Sequence, residues 1–219
     1  MLKMPASQRP HSSGPSTGTG APAPIVLAST SETRADLLKA AGVECVIEPP
    51  GVDEDSVKSS LRSQGADGAT VAEALAELKA RKVSARHREA LVIGADQVLE
   101  CEGRLYDKPK SVAAARDQLR ELRGRSHELL SSVVVARADE RLWHYTSRAR
   151  LVMRPFSDEF LEDYLSVVGD DVCHSVGGYR LEGRGVQLFD SVGGDYFAIL
   201  GLPLLPLLDF LRTHGVVRS

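Results

Sequence analysis

Two spacings of apolar residues alternate along the chain. Ile25-Val26-Leu27 is a short continuous apolar run, which predicts a buried strand, and Ala35 to Ala40 continues at helical spacing. Ser29, Thr30 and Ser31 stand between them, where a hydroxyl accepts from the unpaired N–H groups of a helix start, and Gly42 closes the helix. Residues 43–49 predict a second strand, followed by a polar segment with the acids Asp53, Glu54 and Asp55. Val71, Leu75 and Leu78 predict a helix capped at Thr70. Residues 89–101 predict a strand with Asp96 just past its most apolar part. A turn-rich stretch to Pro109 leads to a helix between Ser111 and Gly124. Residues 127–138 and 140–156 predict paired long strands, and residues 157–168 a helix with acids in its first turn. A glycine-rich stretch follows, and residues 204–215 close the chain as a helix. Strands and helices mixed in this way predict an α/β fold with a partly antiparallel sheet.

Residues 1–24 break the pattern. They hold no Asp or Glu, few large apolar residues, and much Pro, Ser and Gly. Such a segment predicts a disordered tail, leaving residues 25–219 as one folded domain. The whole chain has 219 residues, 42% of them hydrophobic, enough for a real core. A net charge of −3 argues against a nucleic-acid partner. Cys45, Cys101 and Cys173 are odd in number and far apart, which fits a reducing, cytoplasmic setting and offers no paired metal site. No apolar stretch reaches membrane-spanning length.

Chemistry has several candidate seats. The hydroxyl-rich turn before the first helix is both a cap and an anion site, and Arg34 can add a bidentate grip on phosphate. Asp96 at a strand end can take a proton from water or hold a divalent metal, and equally suits a solvated carboxylate. Gly94 before it predicts close approach of a backbone or a ligand. Glu54 and its acidic neighbours can complete an oxygen-ligand site for Mg²⁺ or Mn²⁺ with Asp96. Lys79 and Lys108 can join Arg34 in clamping a polyphosphate.

The ordered blocks "LASTSETRADLL", "VDED", "LAELKA", "VIGADQV", "DKP", "GRSHE", "SVGGYRLEGRG" and "GLPLLPLL" resemble the Maf-like nucleoside triphosphate pyrophosphatases over residues 25–212. The resemblance implies an elongated mixed sheet, partly antiparallel and flanked by helices, with an active-site cleft between two lobes. It implies hydrolysis of a nucleoside triphosphate to the monophosphate and pyrophosphate with a divalent cation. Asp96 falls on the family's catalytic acid, Ser29, Ser31 and Arg34 on its phosphate-binding residues, Glu54 on its metal-binding acid, and Lys79 and Lys108 on its two lysines. Thr33, Gln97 and Glu182 fall on specificity positions. Gln97 and Glu182 resemble the branch that acts on 7-methyl-GTP, whereas Thr33 stands where that branch can carry Trp. A carboxylate accepts from both guanine N–H groups that lie side by side, and Gln97 is expected to donate to the guanine oxygen. The alternatives are a pyrophosphatase for dTTP or UTP and a nucleotide-binding regulator of cell division without turnover; a homodimer is also in keeping with the family. Ser131-Ser132 replace the family's frequent Thr-Gly, a change expected to alter local turn geometry.

Overall fold

The structure is a computed structural model and describes residues 23–218. The tail predicted for residues 1–24 therefore falls, over residues 1–22, outside the described residues. Ala23 and Pro24 already belong to the folded body: Ala23 packs against the core, and the Pro24 carbonyl accepts from the Leu91 N–H.

Seven strands form one open, mixed sheet. They are β1 (Ile25–Ala28), β2 (Val46–Ile47), β3 (Leu91–Cys101), β4 (Arg104–Tyr106), β5 (Ser126–Arg137), β6 (Glu140–Met153) and β7 (Phe189–Gly193). The order is β2-β1-β3-β5-β6-β7, with β1 parallel to both β2 and β3 and the rest antiparallel. The helices are α1 (Glu32–Ala40), α2 (Glu54–Ser63), α3 (Gly68–Ser84), α4 (Val112–Leu122), α5 (Asp158–Val168), α6 (Tyr196–Ile199) and α7 (Leu204–Thr213).

The register of β3 creates the feature on which the site depends. One edge of β3 is paired with β5 from Val92 to Glu100. On the other edge β1 ends opposite Gly94, and β4 ends, at Tyr106, opposite Leu99. Among the described residues, 95–98 are left without a strand neighbour on that edge. The turn after β1 and the loop after β4 both open onto this gap.

Side chains alternate across a strand, so β3 serves two different layers. Val92, Gly94, Asp96 and Val98 face α3, whose Ala76, Ala80 and Val83 pack closely on the sheet. Leu91, Ile93, Ala95, Leu99 and Cys101 face the opposite layer. The core there is divided. One cluster gathers α1, α7 and the start of β3, and a larger one gathers α4, α5 and the glycine-rich region. Between them runs a polar row of cross-strand partners, Gln97, Ser131 and Ser147. Ser131 and Ser132 thus lie in the middle of β5 rather than in a turn. Ser131 Oγ donates to the Ala198 carbonyl at 2.6 Å, and Ser132 Oγ meets Thr146 Oγ1 at 2.9 Å.

Several elements differ from the pattern's expectation. The acidic segment at residue 53 opens α2, with Asp53 as the cap accepting from the Ser56 N–H. Only Val57 and Leu61 of α2 pack on the core, too few apolar residues for a clear helical period. The cap of α3 is Asp67, not Thr70: its carboxylate accepts from the Thr70 N–H at 2.8 Å. The turn-rich stretch contains β4, and the glycine-rich stretch contains short 3-10 turns, β7 and α6. β2 shrinks to two exposed residues at the sheet edge. Among the described residues no helix is long and apolar enough to cross a membrane.

The glycine-rich region is tied down by His127 on β5, whose side chain is 1% exposed. Its Nε2 lies 2.7 Å from the Tyr179 hydroxyl, while Nδ1 is buried without a partner among the described residues. Burial pushes its pKa down from 6.5 to about 4. The unfolded chain then binds a proton that the folded one refuses, so stability is full above pH 6.5 and falls as pH drops toward 4. At 1.36 kcal/mol per pH unit the loss amounts to about 3 kcal/mol. Urea unfolding at pH 7 and pH 4.5 should show a markedly smaller decline for His127→Gln than for the parent. Parallel declines in the two proteins would remove His127 as the cause.

Candidate active site

The gap along β3 collects most of the predicted residues. At the end of β1, Ser29 is buried, and its Oγ accepts from the Ser31 N–H at 3.1 Å and from Arg34 Nη1 at 3.3 Å. Ser31 caps α1, its hydroxyl accepting from the Arg34 N–H at 3.4 Å. Arg34 also donates from Nε to the Gly201 carbonyl at 2.8 Å. The guanidinium is therefore aimed by two fixed acceptors. Burial lowers its pKa, while Asp96 and Glu54 pull the other way.

Asp96 projects from β3 toward α3. Its Oδ1 accepts from Lys79 Nζ at 2.6 Å, and both residues are buried. Lys79 also pairs with Glu54 Oε1 at 2.8 Å, which joins α2 and α3 at the site. Burial opposes the charge on Glu54, but Lys79, Lys58 and Arg34 together hold its pKa below the usual value. Lys108 reaches the cluster from the loop after β4. It is exposed, yet the protein packed around it and the Arg34 charge lower its pKa. Among the described residues no carboxylate lies within ion-pair distance of Lys108.

Two residues of the cluster escaped the sequence reading. Lys58 follows Glu54 by four residues, one turn along α2, and its Nζ donates to Asp107 Oδ1 at 2.9 Å. Asp107 is the residue before Lys108. The spacing of Glu54 and Lys58 was the available signal, but it has meaning only once the segment is a helix. Arg34, Lys58, Lys79 and Lys108 set four cations against Glu54, Asp96 and Asp107, an excess of positive charge suited to a polyphosphate.

Asp96 Oδ2 is buried and, among the described residues, has no hydrogen-bond partner. A buried carboxylate oxygen left unpaired is costly and calls for an explanation. Asp96 and Glu54 converge on Lys79 and offer hard oxygen donors of the kind Mg²⁺ and Mn²⁺ prefer. Among the described residues no group of three or more His, Cys, Asp or Glu is placed to hold a metal. Two carboxylates are the protein share usual for Mg²⁺, whose other ligands are water and substrate phosphate.

The three specificity positions are not brought together in the same way. Gln97 lies on the opposite face of β3 from Asp96. Its Nε2 donates to Ser131 Oγ at 2.8 Å and to the carbonyls of Ala198 and Ile199, both at 3.0 Å. Its donor edge is spent on holding α6, so donation to a guanine oxygen is not open to it; only Oε1 remains, as an acceptor. Glu182 pairs with Arg180 Nε at 2.9 Å. Among the described residues no hydrogen bond links Glu182 or the Thr33 side chain to Gln97.

Residues 24–214 match the model of the Maf-like protein family. A nucleoside triphosphate pyrophosphatase of Rhodospirillum rubrum is 50% identical over 196 residues, covering 90% of this chain and 97% of that protein. A nucleoside triphosphate pyrophosphatase of Paramagnetospirillum magneticum is 53% identical over 190 residues, covering 87% and 98%. A 7-methyl-GTP pyrophosphatase of Rhizobium etli is 46% identical over 193 residues, covering 88% and 97%. With a family match over nearly all of the folded body, and these relatives aligned almost end to end, the chain belongs to the Maf family.

Proposed function

We propose that this protein hydrolyses a nucleoside triphosphate to the nucleoside monophosphate and pyrophosphate, a reading supported by its relatives, which are named nucleoside triphosphate pyrophosphatases. The observation that carries the reading is Asp96: a buried carboxylate with one oxygen held by Lys79 and the other unpaired, at a gap ringed by cations. Water attacks the α-phosphorus; a new P–O bond forms, and the bond from the α-phosphorus to the bridging oxygen breaks. Asp96 Oδ2 accepts the proton of the attacking water. Lys79 holds the carboxylate in place. Arg34, aimed by Ser29 and Gly201, and Lys108 neutralise charge on the phosphates and the departing pyrophosphate. Glu54 and Asp96 would hold a Mg²⁺ or Mn²⁺ ion, which when bound supplies Lewis-acid neutralisation of phosphate charge. The three cysteines are free, in keeping with action in the cytoplasm.

The test is pyrophosphate release from a panel of nucleoside triphosphates, with and without a chelator. Release that stops on chelation and returns with Mg²⁺ or Mn²⁺ supports the reading. An absence of release from every member would leave the nucleotide-binding regulator in its place.

For the base, we propose 7-methyl-GTP, on the strength of Glu182 and of the relative from Rhizobium etli that carries that name. Gln97 cannot serve as the donor, so Glu182 bears the discrimination, accepting from guanine N1–H and the exocyclic amine once it leaves Arg180. Removing an acceptor matched to a buried base costs strong discrimination. The kcat/KM ranking of 7-methyl-GTP, GTP, UTP and dTTP should place 7-methyl-GTP first, and Glu182→Gln should lower that preference by at least about tenfold. If UTP or dTTP leads in the parent, or if Glu182→Gln leaves the ranking as it was, this account of the base pocket fails.

A further inference from the structure

We infer that Lys58 is a positioning residue: its ion pair with Asp107 fixes the loop carrying Lys108 and thereby sets the grip on the pyrophosphate end of the substrate. The inference rests on the proposed hydrolysis and deepens it.

α2 presents Glu54, Lys58 and Arg62 on successive turns of one face. Each ties the helix to another element. Glu54 reaches Lys79 on α3; Lys58 reaches Asp107 Oδ1 at 2.9 Å; Arg62 reaches Asp107 Oδ2 at 3.4 Å. α2 has no fully buried side chain, so these polar ties carry much of its placement. The Lys58 tie is the sheltered one, with its side chain 14% exposed against 36% for Arg62. An ion pair screened from water in this way is worth more than an exposed one.

Asp107 is the hinge of the arrangement. Its carbonyl accepts from Gln118 Nε2 of α4 at 3.0 Å, and its carboxylate is gripped from α2. Lys108 comes next in the chain and, among the described residues, has no carboxylate of its own. Lys58 therefore acts in two ways at once. It holds the backbone from which Lys108 projects, and it cancels a carboxylate that would otherwise repel a polyphosphate. Its own Nζ is committed to Asp107, whereas Lys108 is free to meet an anion. The Lys58 charge also faces Asp96 and Glu54; burial opposes it, but the Asp107 hydrogen bond and these three carboxylates hold its pKa above the usual value.

The test is binding of inorganic pyrophosphate by calorimetry in the presence of Mg²⁺, which needs no turnover, alongside kcat and KM for the best nucleoside triphosphate of the panel. Lys58→Met should weaken pyrophosphate about tenfold, equivalent to roughly 1.4 kcal/mol, and raise KM similarly with kcat changed less than about threefold. Lys58→Arg should restore most of the affinity. In a Lys108→Met background, Lys58→Met should add little further loss, as coupled residues do. The same tenfold loss in that background would mean that Lys58 grips phosphate itself, and an unchanged affinity would reduce the pair to an ordinary surface contact; either result overturns the inference. An inert parent that still shows the coupling would overturn the hydrolysis reading alone.

Discussion

Asp96→Asn will lower kcat at least about a hundredfold, the lower end of what a positioned proton acceptor contributes. The side chain keeps its size, so β3 and α3 remain packed. The amide cannot take a proton from water at Oδ2, the atom now buried without a partner. It also removes one of the two carboxylates shared by Lys79, leaving Glu54 as the sole counter-charge of a buried lysine. A modest fall in melting temperature should accompany the loss, since a buried charge has lost a partner. The measurement is single-substrate kinetics with circular dichroism as the control for folding. Turnover within tenfold of the parent would remove Asp96 from the chemistry.

Gly94→Ala is expected to damage both fold and activity. A Cβ built on Gly94 would lie 2.2 Å from the Ala76 carbonyl oxygen, 2.6 Å from the Ala80 nitrogen and 2.8 Å from the Ala80 Cβ. Two of these neighbours are backbone of α3, which cannot rotate aside as a side chain would. β3 cannot retreat either, because Gly94 is paired with Ala28 on one side and Val134 on the other. α3 must lift off the sheet, and overpacking of this kind costs about 3 kcal/mol or more. Lys79 rides on α3 and Asp96 on β3, so the same shift pulls apart the 2.6 Å ion pair. Urea unfolding should show the stability loss, and kcat/KM should fall by at least about tenfold, a barrier change of roughly 1.4 kcal/mol. A variant with less than about 1 kcal/mol of destabilisation would show that α3 is not seated as closely as its backbone contacts indicate. The sequence had left open whether a backbone or a ligand approaches Gly94; α3 is the answer.

The strongly patterned elements could be read from local residues. β3, β5, β6, α4, α5 and α7 follow the periods of their apolar positions, and α4 and α5 open at Ser111 and Ser157, where those helices were expected to begin. The ordered blocks also identified the family and drew attention to Ser29, Arg34, Lys79, Asp96 and Lys108, which the fold brings to one gap. Thr70 was misread as a cap because Asp67, three residues earlier, offers the N-terminus a carboxylate that the hydroxyl cannot match in charge. α2 was missed because its face toward the body is largely ionic, and a ladder of Glu54, Lys58 and Arg62 gives no hydrophobic period to detect.

Local pattern by itself determined the strongly periodic strands and helices, which residue types could bind a polyphosphate, and, through the blocks, the family. It could do so because backbone period and capping depend on neighbours a few residues away. Only the tertiary structure decided which groups meet and which remain free. The gap on β3 exists because β1 stops at Ala28, opposite Gly94, and β4 reaches back only to Tyr106, opposite Leu99, a matter of register between distant segments. The alternation of β3 sends Asp96 to α3 and Gln97 to α6, so two adjacent residues serve different layers. Lys58 and Asp107 are separated by 49 positions in the chain, and no local period relates them. Their pairing follows from where α2 and the loop after β4 are set down on the sheet, which is decided by packing over the whole fold.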